Sequence, residues 1–374
     1  MSKIKVVTIV GTRPEIIRLS RLIPKLDEYT NHIFVHTGQN SDPKLNDVFF
    51  EDLGLRQPDH YLNVDTSSMG SVMGDTIKKS EELFLKEKPD AVMILGDTNS
   101  AVAAIVAERM HIPVYHMEAG NRSFDANVPE ELNRKMVDHV ASFNLPYNDY
   151  SLRNLLAEGV HPRTICITGS PIKEILEHNR DKIAKSQVLQ DLGLKKDGYF
   201  LVSVHRQENV DLPERLEEVV QCLASVRDKW GLPILVSTHP RTKARLESLG
   251  LSEVDGVNFH EPFGYLDYNQ LQINAKCVIS DSGTISEESA LLGFPAVSLR
   301  DSIERPESLD VGSIILTGLD PNNLVESIGL QLETNISEVL PRGYESSDFS
   351  SRVVKFLFST NNKHAQWNGL RKTP

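Results

Sequence analysis

Short runs of β-branched and apolar residues alternate with longer stretches in which apolar positions recur at three- and four-residue spacing. The runs predict strands at 4–10, 32–37, 91–95, 114–117 and 165–168, and a second series at 200–204, 234–237, 277–280, 296–299 and 313–316. They are near-continuously apolar, as expected of strands covered on both faces by helices. Helical patterns lie between them, among them 75–87, 99–109, 212–229 and 321–332. Strand–helix alternation predicts an α/β fold with parallel sheets. The series split into two doubly wound domains, 1–170 and 171–359, facing each other across a cleft, with a polar tail at 360–374. The change-over falls at 168–171 or in the charged, weakly periodic stretch 179–198. Ligands of such sheets bind beyond the carboxyl ends of the strands.

Composition narrows the function. The 374 residues are 40% hydrophobic and 25% charged, an ordinary globular balance for two domains. Lys plus Arg number 40 against 52 Asp plus Glu, a net charge of −12, which argues against a nucleic-acid partner. A small anionic ligand stays compatible, because a few arginines and backbone N–H groups can hold a phosphate in an acidic protein. Cys166, Cys222 and Cys277 are scattered and form no CxxC pair, so neither a disulfide framework nor a cysteine metal site is expected. No run approaches the ~20 apolar residues of a membrane span, and 6–10 is too short for a signal-peptide core. A cytoplasmic protein with no membrane partner is expected.

Polar clusters sit where the runs end. Gly11-Thr12-Arg13-Pro14-Glu15 follows the first strand and opens a helix through Ile16, Ile17 and Leu19. Proline suits a helix start, where its missing N–H costs nothing. Glycine and arginine at a helix N-terminus make an anion site, although an ordinary βα turn reads the same way. The turn is neither a Walker loop nor GxGxxG, since the required glycines and lysine are absent. Asp97, in Gly96-Asp97-Thr98-Asn99, fits a helix N-cap as well as a reacting carboxylate. Glu118 stands at the end of the next strand, where a buried carboxylate needs a partner. Glu130 and Glu131 occupy a first helical turn ahead of Arg134, where acids complement the helix dipole. Of these two, Glu130 is expected to face the site and Glu131 the outside. Three acidic clusters on one face of one domain point beyond surface chemistry.

In the second half, His205 ends a strand and fits a general acid, a phosphate ligand or a structural histidine. Thr238-His239-Pro240-Arg241 reads as a turn. The strongest local signal is Ser280-Asp281-Ser282-Gly283-Thr284-Ile285-Ser286-Glu287-Glu288, a strand running through a Ser-Gly-Thr turn into a helix. Backbone N–H groups and hydroxyls at such a start cradle a diphosphate, and Glu288 lies one turn in, where it reaches ribose hydroxyls. Arg300-Asp301 and Glu304-Arg305-Pro306-Glu307 add cations after the next strand. The residues alone give a nucleotide-diphosphate site mainly on the second domain, facing carboxylates on the first. They do not say what is done to the ligand.

Taken together, GTRPE at 11–15, GDT at 96–98, EAGNR at 118–122, PEELNR at 129–134, HRQEN at 205–209, DSGTISEES at 281–289 and ERPE at 304–307 resemble the non-hydrolysing UDP-N-acetylglucosamine 2-epimerase family, in family order. The resemblance implies a glycosyltransferase-B-like pair of Rossmann-like domains. By position it implies active-site roles for Arg13, Asp97, Glu118, Glu130, Arg134 and His205. Ser282, Gly283, Thr284, Glu288 and Arg305 match uridine and diphosphate positions, and Phe263 and Tyr268 match uracil contacts in 261–268. The chain departs from the family in carrying Arg18 for lysine, Thr284 for a second glycine and Asn121 for an apolar residue. Gly38-Gln39-Asn40-Ser41-Asp42 lacks the His and Arg tied to an activating second UDP-sugar, so that site is not expected. The variant set looks most like the UDP-N-acetyl-L-fucosamine synthase branch. Its substrate is UDP-2-acetamido-2,6-dideoxy-β-L-talose, for surface polysaccharide synthesis.

The C2 proton of a 2-acetamido sugar has no adjacent carbonyl and is not acidic. The family chemistry eliminates UDP to leave a glycal, returns the proton to the opposite face and adds UDP back. The acid–base candidates are Asp97, Glu118 and Glu130. Arg13, Arg18, Arg134, His205 and Arg305 stabilise anions. No redox cofactor or metal is needed, and a homodimer is the expected assembly. Competing readings are the same chemistry on UDP-GlcNAc giving UDP-ManNAc, a UDP-sugar glycosyltransferase of this fold, and a UDP-sugar sensor.

Overall fold

The computed structural model describes residues 3–39, 50–334 and 339–370. Its first sheet contains β1 (Lys5–Val10), β2 (Asn31–His36), β3 (His60–Tyr61), β4 (Ala91–Leu95), β5 (Val114–Met117) and β6 (Phe143–Leu145). Its second contains β7 (Phe200–Ser203), β8 (Ile234–Ser237), β9 (Val257–His260), β10 (Cys277–Ser280), β11 (Ala296–Ser298) and β12 (Ile315–Leu316). The orders are β3-β2-β1-β4-β5-β6 and β12-β11-β10-β7-β8-β9, every pairing parallel. Counted from its own first strand, each sheet runs 3-2-1-4-5-6, the doubly wound order. The order reverses between β1 and β4, and between β7 and β10. Ligands collect outside the carboxyl ends at such a point.

The near-continuous apolar runs are explained by burial on both faces. Val7, Ile9, Val35, Val92 and Ile94 sit in one core, and Phe200, Val202, Val236, Ile279 and Val297 in another. The short strands β3, β6 and β9 carry no such signal. The run at 165–168, expected as a strand, makes one bridge, Ile165 to Asn144. It follows the edge of β6 through Cys166 N–H to Asn144 O and Thr168 N–H to Pro146 O, both 3.0 Å. Pro146 supplies no N–H to continue the ladder.

Two compact units emerge: Met1–His178 with Arg342–Pro374, and Asn179–Pro341. The crossing at 178/179 falls at the start of the stretch 179–198 and not at 170/171, and the chain leaves the second unit at 341/342 and not at 359/360. The first crossing lies inside the helix Ile172–Ala184, and the chain from 342 onward returns to the first unit. The helix Phe349–Thr360 buries Phe349, Val353, Val354 and Leu357 and packs on the helix Leu22–Tyr29, with Lys25 Nζ donating to Ser351 Oγ at 3.0 Å. The described part of the expected polar tail, 360–370, is also packed. His364 is buried, its Nε2 is 2.9 Å from Ser142 Oγ, and Trp367 meets the ring of Phe143. Among the described residues, no helix is long and apolar enough to cross a membrane.

Candidate active site

In the first unit the site grows from the carboxyl ends of β1, β4 and β5. Asp97 follows β4 by way of Gly96, at φ +71°. Glu118 follows β5 in the left-handed region, at φ +60°. That conformation costs a non-glycine residue about 1–2 kcal/mol, and such strain gathers at functional sites. The buried Arg134, on the helix Pro129–Val140, reaches both acids. Its Nη1 donates to the Glu118 carbonyl oxygen, and its Nη2 donates to Asp97 Oδ2 and lies 3.2 Å from Glu118 Oε1. Arg18, on the helix Arg13–Leu19, places Nη1 3.3 Å from Glu118 Oε2 and lies over the Tyr147 ring. Glu118, Arg18 and Arg134 are shielded from water, which strengthens their attraction. One guanidinium thus spans two carboxylates in the loops that follow adjacent strands. Arg13 is half-buried at the first position of its helix.

The spacing of polar residues gave no reason to choose Glu15, yet it fastens two of these loops together. Glu15 Oε2 accepts from Gly11 N–H (3.0 Å), Thr12 N–H (2.8 Å) and Thr12 Oγ1 (2.8 Å), while Oε1 accepts from Ser100 Oγ. The turn after β1 is clipped to the loop after β4 at the point where strand order reverses. Burial pushes the Glu15 carboxyl up, against the hydrogen bonds from Ser100, Thr12 and Gly11. Gly11 is required there, since a Cβ would stand 2.5 Å from Thr37 Oγ1.

One of the adjacent acids departs from its expected place. Glu131, expected on the outside, is 7% exposed. Its Oε2 accepts from Ser123 N–H (2.8 Å) and Ser123 Oγ (3.1 Å), and its Oε1 lies 3.0 Å from Lys135 Nζ. The cause is local: the 121–128 loop folds back over the helix start, and Glu131 satisfies its backbone. Glu130 is half-buried. Among the described residues its side chain makes no hydrogen bond or ion pair, so it is not joined to the Asp97–Glu118–Arg134 cluster. Gly38 and Gln39 follow β2, while Asn40, Ser41 and Asp42 lie outside the described residues.

In the second unit the site is organised by Asp281, another residue not singled out from sequence. Fully buried at the end of β10, it accepts from His205 N–H (3.1 Å), Arg206 N–H (3.0 Å) and Asn209 Nδ2 (3.1 Å), and faces His205 Nδ1 at 3.3 Å. It holds the loop after β7 against the turn after β10 and leaves the half-exposed His205 ring oriented. Ser282 and Thr284 share a hydroxyl hydrogen bond of 3.0 Å ahead of the helix Ile285–Leu292. Arg305 Nε donates to Gly283 O at 3.1 Å, and its Nη2 is 3.4 Å from the buried Glu287. Glu288 Oε2 accepts from Gln272 Nε2 at 2.6 Å. Burial, helped by the charge of Glu288, raises the Tyr268 phenol above its usual range, against a hydrogen bond with Ser203. Phe263 stacks on His260 with centroids 4.4 Å apart. His205, Phe263, Tyr268, Ser282, Gly283, Thr284, Glu288 and Arg305 therefore belong to the second unit, and the carboxylates with Arg13, Arg18 and Arg134 to the first.

Residues 25–358 match the UDP-N-acetylglucosamine 2-epimerase family. The chain belongs to that family. The UDP-N-acetylglucosamine 2-epimerase of Methanocaldococcus jannaschii is 37% identical over 364 residues, covering 94% of this chain and 98% of that protein. A crystal structure of the M. jannaschii UDP-GlcNAc 2-epimerase in complex with UDP-GlcNAc and UDP aligns with a TM-score of 0.90 at 36% identity, covering 95% of this chain and 100% of that one. The UDP-2,3-diacetamido-2,3-dideoxy-D-glucuronate 2-epimerase of Pseudomonas aeruginosa is 33% identical over 358 residues, covering 94% and 99%. As a member of the 2-epimerase family the chain is an isomerase, built on two Rossmann-like parallel-sheet units of glycosyltransferase-B type. The relatives of the family differ in the sugar they are named for.

Proposed function

We propose that the chain inverts C2 of a UDP-2-acetamido sugar by eliminating and re-adding UDP. The observation that carries this reading is the Asp97–Arg134–Glu118 bridge, two carboxylates held by one buried guanidinium. In the first half-reaction a carboxylate takes the C2 proton while the C1–O bond breaks. The electron pair of the C–H bond becomes the C1–C2 double bond, and UDP leaves with the bonding pair of C1–O. In the second, an acid delivers a proton to the other face of C2, and the UDP oxygen bonds to C1 again. Asp97, Glu118 and Glu130 serve as acid and base. The Ser282-Gly283-Thr284 turn, held by Arg305, receives the diphosphate, with His205 beside it. Arg13, Arg18 and Arg134 balance the charge that develops in the first unit, and Phe263, Tyr268 and Glu288 take the uridine.

The favoured substrate is UDP-2-acetamido-2,6-dideoxy-β-L-talose, giving UDP-N-acetyl-L-fucosamine. Support comes from the motif variants GTRPEIIRLS, MEAGNR and DSGTISEES. A second reading, UDP-GlcNAc to UDP-ManNAc, is supported by the names of the M. jannaschii relatives. A pocket built around a C6 methyl rejects an added hydroxyl by only about 10²-fold, so side activity on UDP-GlcNAc fits either substrate. The reading also includes a cytoplasmic homodimer that takes no nucleic acid and no membrane.

The test is proton NMR of the chain incubated in D2O with each sugar nucleotide separately, without an acceptor. The expected product is the C2 epimer carrying deuterium at C2, with the higher kcat/KM for the 6-deoxy-talose nucleotide. A higher value for UDP-GlcNAc reverses the substrate choice and leaves the mechanism intact. An epimer with full protium at C2 rules the elimination out.

A further inference from the structure

Asp138 lies one turn beyond Arg134 on the helix Pro129–Val140, with its side chain wholly excluded from water. Its carboxylate serves three groups. Oδ1 lies 2.9 Å from His116 Nδ1, Oδ2 lies 2.7 Å from Arg122 Nη1, and the Gly120 N–H donates to both oxygens at 3.1–3.2 Å. His116 Nε2 is 2.7 Å from the carbonyl oxygen of Gly96, which can only accept, so that nitrogen carries a proton. Gly96 immediately precedes Asp97, and Gly120 stands two residues after Glu118. Asp138 therefore ties together, at the backbone, the two loops whose side chains Arg134 joins.

These loops do not rest in relaxed conformations. Glu118 has φ +60° and Gly120 φ +79°, and a Cβ at position 120 would stand 2.3 Å from the Ser151 carbonyl oxygen. Such backbone persists only where its surroundings over-determine it. We propose that Asp138, acting with His116, is a positioning residue for the C2 epimerisation, fixing the separation of Asp97 and Glu118 and holding Glu118 in its left-handed conformation. This rests on the reading of Asp97 and Glu118 as the acid–base pair.

The titratable and charged groups facing Asp138 are His116 from β5, Arg122 from the loop and Arg134 from its own helix, with Glu158 on the far side of Arg122. Asp138→Asn keeps the shape and removes one negative charge from this set. The positive charge left behind favours the ionised forms of Asp97 and Glu118, so the acid limb of the kcat profile moves to lower pH. A role in stability alone leaves that limb in place.

The experiment measures kcat and KM against pH for the full chain with UDP-GlcNAc and with the 6-deoxy-talose nucleotide. A wild type that epimerises neither overturns the functional reading, and this inference with it. With an active wild type, Asp138→Asn is expected to lower kcat by about tenfold to a hundredfold with KM within about threefold, and to shift the acid limb down. His116→Asn, which keeps the Asp138–Arg122 pair and breaks the tie to Gly96, is expected to lower kcat by about fivefold or more at unchanged KM. Leu26→Ala, a core truncation remote from these loops, is expected to lower Tm while kcat below Tm stays at the wild-type value. Wild-type kcat and an unmoved acid limb in folded Asp138→Asn overturn the positioning role. If that variant does not fold, wild-type kcat in His116→Asn does so.

Discussion

Arg134 meets Glu118 twice, once at the main chain through Nη1 and once at the side chain, where Nη2 stands 3.2 Å from Oε1. The same Nη2 donates to Asp97. Lysine offers one point charge and cannot span these acceptors in a plane. Arg134→Lys is expected to lower kcat by about 10²-fold with a smaller change in KM, read from steady-state epimerisation. A lysine variant with wild-type kcat would show that the fork is dispensable.

The acids divide by what they touch. Asp97→Asn, Glu118→Gln and Glu130→Gln are each expected to lower kcat by about 10²-fold or more, the scale of acid–base catalysis, with folding preserved. Glu131→Gln acts differently, because its carboxylate is committed to Ser123 and Lys135. It is expected to cost about 1–3 kcal/mol in urea unfolding at neutral pH. Burial raises the Glu131 carboxyl, but Ser123 and Lys135 outweigh it and hold the group below its usual 4.5. The stabilisation is present above that value and lost as pH falls through the depressed one, so the variant's deficit shrinks in acid. Equal losses of kcat at Glu130 and Glu131 would remove the distinction.

Arg305 braces the turn expected to take the diphosphate. Arg305→Ala removes the hydrogen bond to Gly283 O and leaves the buried Glu287 without that cation. UDP affinity by calorimetry is expected to fall about tenfold to a hundredfold, the worth of one charged hydrogen bond. Unchanged affinity in a folded variant would place the UDP site elsewhere.

His36, 1% exposed at the end of β2, is brought by burial from 6.5 to about 4. Between those values the unfolded chain binds the proton and the folded chain does not. Stability therefore falls as pH drops from 6.5 to about 4, by roughly 3 kcal/mol in full. His36→Asn, which keeps an acceptor for the Gly38 N–H, is expected to flatten that decline. Urea midpoints at pH 7 and about pH 4.5 decide it, and an unchanged slope would assign the acid sensitivity to other groups.

Strands buried on both faces declare themselves as apolar runs, which is why β1, β4, β5, β7, β8 and β10 could be read directly. Edge strands β3 and β9 are half-solvated, and β6 is three residues long with Asn144 at its centre, so none rises above its flanks. The residues proposed to face the ligand were legible because they cluster at strand ends. The groups behind them were not: Glu15, Asp138 and Asp281 look like ordinary helix or turn acids until the chain folds donors around them. Glu131 was misplaced for the same reason. Which of two adjacent acids points inward depends on how the 121–128 loop closes, and no periodicity records that.

The return of residues 342–360 to the first unit orders events during synthesis. Asn179–Pro341 is continuous and holds its own core, so it can finish folding soon after it leaves the ribosome. The first unit cannot. The helix Phe349–Thr360 leaves the ribosome only after the whole of Asn179–Pro341, so its side of the helix Leu22–Tyr29 stays uncovered until the second unit has been made. A nascent chain stalled before 349 would carry a finished second unit and a first unit whose helix Leu22–Tyr29 is still open to passing chaperones.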